Sequence, residues 1–209
     1  MNKSMLIRIV FASAVVLLAI SIYLATRDSA YAITNANPTG TNIIAFGDSL
    51  TFGTGADRDA SYPAHLSEIL GQTVINKGAP GDTTGSALNR LERDVLAHDP
   101  RIVIVGLGGN DAAHRSDRAV VFDNLEKIVQ RIQAKGALVI VLSFNFPLHS
   151  DYQDKYEALA RRNGCPIAHD MLDGIWGNPE VMSDPIHPNG AGYKLMAQKI
   201  APVLQPYVH

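Results

Sequence analysis

The sequence predicts an α/β fold, a three-layer αβα sandwich with helices on both faces of a parallel sheet. Short apolar runs alternate along the chain with longer segments whose apolar residues recur at three- and four-residue steps. The first pattern is typical of strands and the second of amphipathic helices. The run Ile102-Val103-Ile104-Val105 is apolar at every position, so both faces of that strand are buried, as in a parallel sheet covered on each side.

Each predicted element follows from its local pattern. The five strands are predicted at 43–46, 74–76, 102–107, 138–142 and, more weakly, 166–169. The helices are predicted at 62–70, 84–97, 118–134, 152–162 and 191–204. The 118–134 helix has the clearest apolar face, with Asp117 or Ser116 as its expected N-cap and Gly136 beyond its end.

Composition excludes several functional classes. Hydrophobic residues make up 46% of the 209 positions, enough for a sizeable core, and the formal net charge of −2 gives no basic footprint for nucleic acid. Neither a GxGxxG nor a GxxxxGK[ST] phosphate-binding motif is present. Cys165 is the single cysteine, which excludes an internal disulfide and a multi-cysteine zinc site.

The N-terminal segment predicts export. Lys3 and Arg8 precede an uncharged apolar run of 17 residues over 9–25, a length between a signal-peptide core and the shortest membrane-spanning helix. Ala30-Tyr31-Ala32 then supplies the small-x-small pattern of a cleavage site. We expect residues 1–32 to be a signal peptide cleaved after Ala32, giving a periplasmic or secreted protein. The alternative is a retained membrane anchor, with the rest of the chain again outside the cytosol.

The remaining chain divides into a short linker and one domain. Residues 33–41 are rich in Thr, Asn, Pro and Gly and are predicted to form a polar linker. Residues 42–209 contain all the predicted strands and helices, so they are predicted to form the functional domain.

Polar, turn-forming residues follow every predicted strand. In open α/β sheets the ligand crevice lies outside the carboxyl ends of the strands, so these segments are expected to meet there. In chain order they are Gly47-Asp48-Ser49-Leu50, the segment 78–84, Gly108-Gly109-Asn110-Asp111, the segment 144–148, and the pair Asp184 and His187.

These residues suit acyl transfer. The Ser49 hydroxyl requires a base to become a nucleophile, His187 is a suitable base, and Asp184 is a carboxylate that could orient it. Negative charge on the carbonyl oxygen requires preformed hydrogen-bond donors. The backbone N–H groups of Ser49 and Gly81 and the side-chain amide of Asn110 are the candidates.

Four of these blocks resemble, in order, the motifs of the GDSL or SGNH hydrolases. They are Gly47-Asp48-Ser49-Leu50, Gly81-Asp82, Gly108-Gly109-Asn110-Asp111 and Asp184-Pro185-Ile186-His187. The resemblance spans about 42–206 and is strongest to the branch of bacterial arylesterases, thioesterase I and lysophospholipase L1.

The resemblance implies a role for each residue. Ser49 would be the nucleophile, His187 the base and Asp184 its orienting carboxylate, while Ser49, Gly81 and Asn110 would form the oxyanion hole. It also implies a flavodoxin-like fold, a small ester or lipid substrate, and neither a metal nor an organic cofactor.

Several residues outside these blocks have two interpretations. Phe144, Phe146 and Leu148 either line an acyl-binding cleft or pack their own loop. His169 with Asp170 is a rival dyad that lacks a partnering nucleophile, and Cys165 with His169 is a rival thiol pair that lacks oxyanion donors. Further candidates are expected to be structural: Asp48, Asp82, Asp111 and Trp176.

The sequence leaves several functional alternatives open. Carbohydrate O-acetylesterases share the four blocks, so the acyl chain and the leaving group stay open. A secreted acyl- or glycan-binding module without catalysis is the alternative from a different class. Phosphate binding at a glycine-rich loop is disfavoured because those loops contain no lysine or arginine. The motifs carry no information on oligomeric state.

Overall fold

The chain folds around one parallel five-stranded sheet. The structure is a computed structural model that describes residues 31–145 and 151–208. The strand order is β2-β1-β3-β4-β5, the flavodoxin-like order, with all four neighbouring pairs parallel. The strands are β1 (Asn42–Gly47), β2 (Val74–Gly78), β3 (Pro100–Gly106), β4 (Leu138–Leu142) and β5 (Ile167–Ala168). The predicted α/β class and parallel sheet are confirmed.

Helices cover both faces of this sheet. In chain order they are α1 (Ser49–Phe52), α2 (Tyr62–Leu70), α3 (Thr84–Asp94), α4 (Gly109–Ala113), α5 (Arg118–Gln133), α6 (Tyr152–Asn163) and α7 (Gly190–Leu204), with 3₁₀ turns at Arg58–Ala60, Leu96–His98 and Gln205–Tyr207. Helix α2 packs against α7, whereas α3 packs against α5 and α5 against α6. This grouping gives the three layers.

The core lies on both faces of the central strands. Every residue of β4 is buried, and so are Ile43–Gly47 of β1 and Ile102–Gly106 of β3. Helix α5 buries the predicted stripe, which includes Val121, Leu125 and Ile128, and Asp117 is its N-cap. The Asp117 carboxylate accepts from the Ala119 N–H at 2.8 Å, as an N-cap side chain should.

Two elements are shorter than predicted by two residues or more. The helix predicted over 84–97 ends at Asp94 and continues as a 3₁₀ turn, with Asp99 in the left-handed region at φ 45°. The fifth strand is reduced to two residues. Pro166 has no N–H to donate to a strand ladder, so the strand begins only at Ile167.

The predicted linker is hydrogen-bonded to the domain. Asn35 Nδ2 donates to the carbonyls of Gln133 and Ala137, both at 2.9 Å, and the Thr39 N–H donates to Gly136 O. Residues 33–41 therefore lie along the domain surface.

The predicted export segment lies almost wholly outside the described residues. Its first 30 positions are not described, and only Tyr31 and Ala32 are. Within residues 31–145 and 151–208, no helix combines the length and apolarity needed to cross a bilayer. Export therefore stays a prediction from the sequence.

Three aligned glycines end the neighbouring strands β1, β2 and β3. The sheet register pairs Gly47 of β1 with Gly78 of β2 and with Gly106 of β3. A Cβ on Gly47 would overlap the Thr51 hydroxyl, and one on Gly78 would overlap the Phe52 backbone. Helix α1 can therefore lie directly over the carboxyl ends of β1 and β2 only because Gly47 and Gly78 lack side chains.

Candidate active site

Ser49 is the first residue of the short helix α1. Asp48 is the N-cap, and its carboxylate accepts from the Leu50 N–H at 3.0 Å. The sharp strand-to-helix turn places Ser49 at the carboxyl end of β1, beside β3. The strand order reverses between these two strands, which is where ligands bind in doubly wound sheets.

His187 is held by a tight loop that begins at Ser183. The Ser183 N–H donates to the His187 carbonyl at 2.9 Å, and Met182 and Pro188 form an antiparallel bridge. One carboxylate oxygen of Asp184 accepts the N–H groups of Ile186 and His187, both at 2.8 Å. This loop fixes the carboxylate and the imidazole relative to each other.

Ser49, His187 and Asp184 are joined in one chain of hydrogen bonds. His187 Nε2 lies 3.1 Å from Ser49 Oγ, across 138 positions of sequence, and His187 Nδ1 lies 2.7 Å from Asp184 Oδ2. The hydrogen bond from His187 lowers the pKa of Asp184 to about 2. Since Asp184 is therefore ionised, Nδ1–H donates to it, and Nε2 is left as the acceptor for the serine hydroxyl.

Two backbone N–H groups in the segments that contain Ser49 and Gly81 have no acceptor among the described residues. One belongs to Ser49, the first residue of α1, and the other to Gly81. Gly81 follows Pro80 in a turn that is closed by a hydrogen bond from the Asp82 N–H to the Ala79 carbonyl at 3.1 Å. The φ of Gly81 is 80°, the value expected for the third residue of a type II turn.

The Asn110 side chain joins the loops after β2 and β3. Its Nδ2 donates one hydrogen to the Asp82 carbonyl at 2.8 Å, which leaves the second hydrogen of the amide for another acceptor. The three predicted oxyanion donors therefore belong to connected segments, and each retains an available N–H.

Three buried carboxylates support these loops, as expected from the sequence. Asp111 accepts the backbone N–H and the hydroxyl of Thr84 at 2.9 and 2.8 Å, which fixes the start of α3. Asp82 accepts from side chains, Ser86 Oγ at 2.7 Å and Arg90 Nε at 2.6 Å. Burial raises the pKa of Asp48 to about 7, because removal from water disfavours the charged carboxylate.

The predicted acyl-cleft residues are only partly described. Phe144 is 2% exposed, and its ring packs edge-to-face on Tyr156 at 6.3 Å between centroids. Phe146 and Leu148 lie outside the described residues. Phe144 thus packs the core in this structure, and its contact with substrate stays a prediction.

The rival reactive groups lie elsewhere. His169 Nδ1 lies 3.1 Å from Gln153 Nε2 and 3.7 Å from a Glu157 oxygen, on the side of the fold formed by α6. Cys165 is buried, and burial raises the pKa of its thiol to about 12, so the nucleophilic thiolate is strongly disfavoured.

Exposed apolar side chains flank Ser49 and His187, and two of them, Phe52 and Ile186, have no signature in the sequence that marks them as site residues. Phe52, one helical turn after Ser49, is 51% exposed, and Ile186, next to His187, is 59% exposed. Trp176 is also exposed in part, and its Nε1 donates to the carbonyl of Pro185 at 3.1 Å. We call Phe52, Ile186 and Trp176 the apolar rim.

Fold, motifs and family agree on the class of protein. Residues 45–195 match the model of the GDSL-like Lipase/Acylhydrolase family, and the chain belongs to that family. It is a GDSL-type ester hydrolase.

The individual relatives of this chain include proteins named as esterases and thioesterases. The chain is 30% identical over 183 residues to an arylesterase of Vibrio mimicus, a match that covers 82% of this chain and 92% of the relative. It is 29% identical over 176 residues to thioesterase 1/protease 1/lysophospholipase L1 of Escherichia coli K12, covering 80% and 85%. The crystal structure of TesA superposes with a TM-score of 0.76 at 27% identity, covering 80% of this chain and 99% of that one.

Proposed function

We propose that the protein is a serine esterase that hydrolyses carboxylic esters through a Ser49-His187-Asp184 triad and an acyl-enzyme intermediate. The observation that supports the proposal is the continuous chain of hydrogen bonds from Ser49 Oγ through the His187 imidazole to the ionised Asp184 carboxylate. A serine hydroxyl in that setting loses its proton to Nε2 as it attacks a carbonyl carbon.

Each catalytic step uses a group in the site. Ser49 Oγ bonds to the acyl carbon while His187 Nε2 takes the hydroxyl proton, and the carbonyl oxygen becomes an oxyanion. The N–H groups of Ser49 and Gly81 and the Asn110 amide donate to that oxyanion. The oxyanion then collapses and the bond from the acyl carbon to the leaving oxygen or sulfur breaks. His187 gives its proton to that atom, which departs as the alcohol or thiol and leaves the acyl group on Ser49. Water attacks the acyl-enzyme with His187 again as base, which releases the acid and restores Ser49.

The apolar rim favours substrates with an apolar acyl or aryl group. Side chains as exposed as Phe52 and Ile186 lose water-accessible area when such a group packs on them, which stabilises the complex. The names of the relatives, arylesterase and thioesterase/lysophospholipase, support the same substrate class. Acetylated carbohydrate is the rival substrate, and a non-catalytic acyl- or glycan-binding module is the rival function.

Export of the enzyme is a further part of the proposal. The apolar run over 9–25 and the Ala30-Tyr31-Ala32 pattern support a cleaved signal or a membrane anchor. Export favours esters over acyl-CoA thioesters as natural substrates. N-terminal sequencing of the native protein decides between the forms: a start at Ile33 supports cleavage, and an intact Met1 in the membrane fraction supports the anchor.

A substrate panel with matched variants tests the function. Wild type, Ser49→Ala and the control Ser116→Ala are assayed with acetyl, octanoyl and palmitoyl esters, a palmitoyl thioester and an acetylated oligosaccharide. We expect turnover of apolar esters by wild type and by Ser116→Ala, and none by Ser49→Ala above background. Turnover of the acetylated oligosaccharide alone would support the deacetylase, and no turnover of any substrate would support the binding module.

A further inference from the structure

Arg90 lies under the candidate oxyanion hole and is bound on every side of its guanidinium. It projects from α3, its side chain is 12% exposed, and the guanidinium carbon lies 4.3 Å from the centroid of the Phe46 ring. A buried guanidinium is stable only when its donors and its charge are matched, so these contacts define its position.

The donors of Arg90 reach the ends of two strands and the loop that contains Gly81. Nη2 donates to Gly47 O at 2.9 Å, Nη1 donates to Lys77 O at 3.0 Å, and Nε donates to the Asp82 carboxylate at 2.6 Å. Nη1 also donates to Asp94 at 3.1 Å. One side chain therefore joins α3 to β1, to β2 and to the Gly81 turn.

Each predicted oxyanion donor belongs to a segment that is hydrogen-bonded to this guanidinium, either directly or through Asp82. Gly47 lies two residues before Ser49, and Asp82 directly follows Gly81. The same Asp82 binds Arg90 through its carboxylate and Asn110 through its carbonyl oxygen. A shift of Arg90 would therefore change the relative positions of all three donors.

We infer that Arg90 is the positioning residue of the oxyanion hole, holding the segments of Ser49, Gly81 and Asn110 in the arrangement that binds the oxyanion. The inference rests on the proposed function. Arg90 has no hydrogen bond to Ser49, His187 or Asp184 among the described residues, and acts through carbonyl oxygens and Asp82. Lysine retains the charge but lacks the planar fork that makes these bonds at once, so it cannot replace arginine here.

The variants Arg90→Gln, Arg90→Lys and Asp82→Asn test this inference, with Arg93→Gln as the matched control. Arg93 is 77% exposed and binds the same Asp94, yet it contacts neither strand end nor the Gly81 turn. Asp82→Asn keeps the carbonyl that binds Asn110 and neutralises the carboxylate that accepts from Arg90 Nε and from Ser86 Oγ. Each variant is assayed for kcat and KM and for the affinity of a boronic acid, which forms a tetrahedral adduct on the nucleophilic serine.

We expect kcat to fall about 10- to 100-fold in the Arg90 variants, because a displacement of about 1 Å in a catalytic group costs about 10²-fold. KM should change less than about 3-fold, and boronic acid affinity should fall in parallel with kcat/KM. Arg93→Gln should match wild type in all three quantities.

Two results would overturn the inference. The first is a folded Arg90→Gln enzyme with kcat and boronic acid affinity within about 3-fold of wild type. The second is a loss of activity that disappears when each variant is assayed well below its own melting temperature. The loss would then come from unfolding, and Arg90 would have a structural role only. Neither result touches the proposed function, which instead fails if Ser49→Ala remains active.

Discussion

The side-chain amide of Asn110 donates to the main-chain oxygen of Asp82 at 2.8 Å and so joins the loops after β3 and β2. This bond orients the amide and leaves its second hydrogen without an acceptor in the described part of the chain, where the nearby Gly81 N–H has none either. The donors predicted to bind the oxyanion are therefore fixed before substrate arrives, which is the condition for strong transition-state stabilisation.

Asn110→Ala should lower kcat about 10²- to 10³-fold with little change in KM, because it removes one oxyanion donor. Steady-state kinetics on a 4-nitrophenyl ester measure this. Asn124→Ala is the control, since Asn124 also uses its amide to bind another segment, at the hydroxyl of Thr84 in α3, but lies on α5. Equal losses in both variants would argue against a donor role for Asn110.

Gly81→Ala should lower both stability and kcat. Apart from its chain neighbours, no atom of the described residues lies within 4 Å of a Cβ placed on Gly81. Its φ is 80°, so alanine costs about 1 kcal/mol of strain there and is expected to rotate the N–H. Gly71, which caps α2 at φ 64° with similar space around it, is the matched control. Thermal melts should show similar losses for Gly71→Ala and Gly81→Ala, and only the second should lose kcat.

Asp184→Asn should lower kcat about 10³- to 10⁴-fold, because the amide cannot stabilise the imidazolium and favours the wrong tautomer. Asp173→Asn, at an exposed position beyond β5, serves as the control. The pKa of Asp184, about 2, also predicts that its ionisation does not limit activity above about pH 4. Activity retained by Asp184→Asn would exclude the orienting role.

Asp48→Asn should change how stability depends on pH. The pKa of Asp48 is raised from 3.8 to about 7 by burial, so the folded state holds a proton that the unfolded state has already released between these values. Wild type should therefore lose stability relative to Asp48→Asn as pH rises from about 4 to 7, by about 4 kcal/mol at most. Urea melts at several pH values measure this, and a constant difference would contradict the burial argument.

Phe52→Ser and Ile186→Ser should raise KM for an octanoyl ester about 10-fold more than for an acetyl ester, because less apolar surface is available to the longer chain. Ile69→Ser is the control, since Ile69 is an exposed residue near the end of α2, where the chain enters β2. An unchanged chain-length preference would show that the apolar rim does not contact the acyl group.

The sequence predicted those parts of the site that have local signatures. Strand runs followed by Ser49 and by Asn110 could be placed at one sheet edge, because carboxyl ends of parallel strands meet there. The strand order and the confirmed parallel pairing agree with that argument.

The rest depends on contacts that no local pattern records. Arg90 looks like one more charge on an amphipathic helix, yet it binds a carbonyl 43 positions away. The apolar rim combines Phe52 with Trp176 and Ile186, which lie 124 and 134 positions later in the chain, so no local pattern connects them. Phe144 had two interpretations because an apolar residue after a strand either enters the core or lines a cleft.

The site of modification by a fluorophosphonate probe tests the central claim most directly. Peptide mass spectrometry should find one phosphonyl group on Ser49 in wild type and in the Ser116→Ala control, and none in Ser49→Ala. Labelling of Ser49→Ala at the wild-type rate, or a phosphonyl group on another residue, would contradict Ser49 as the nucleophile.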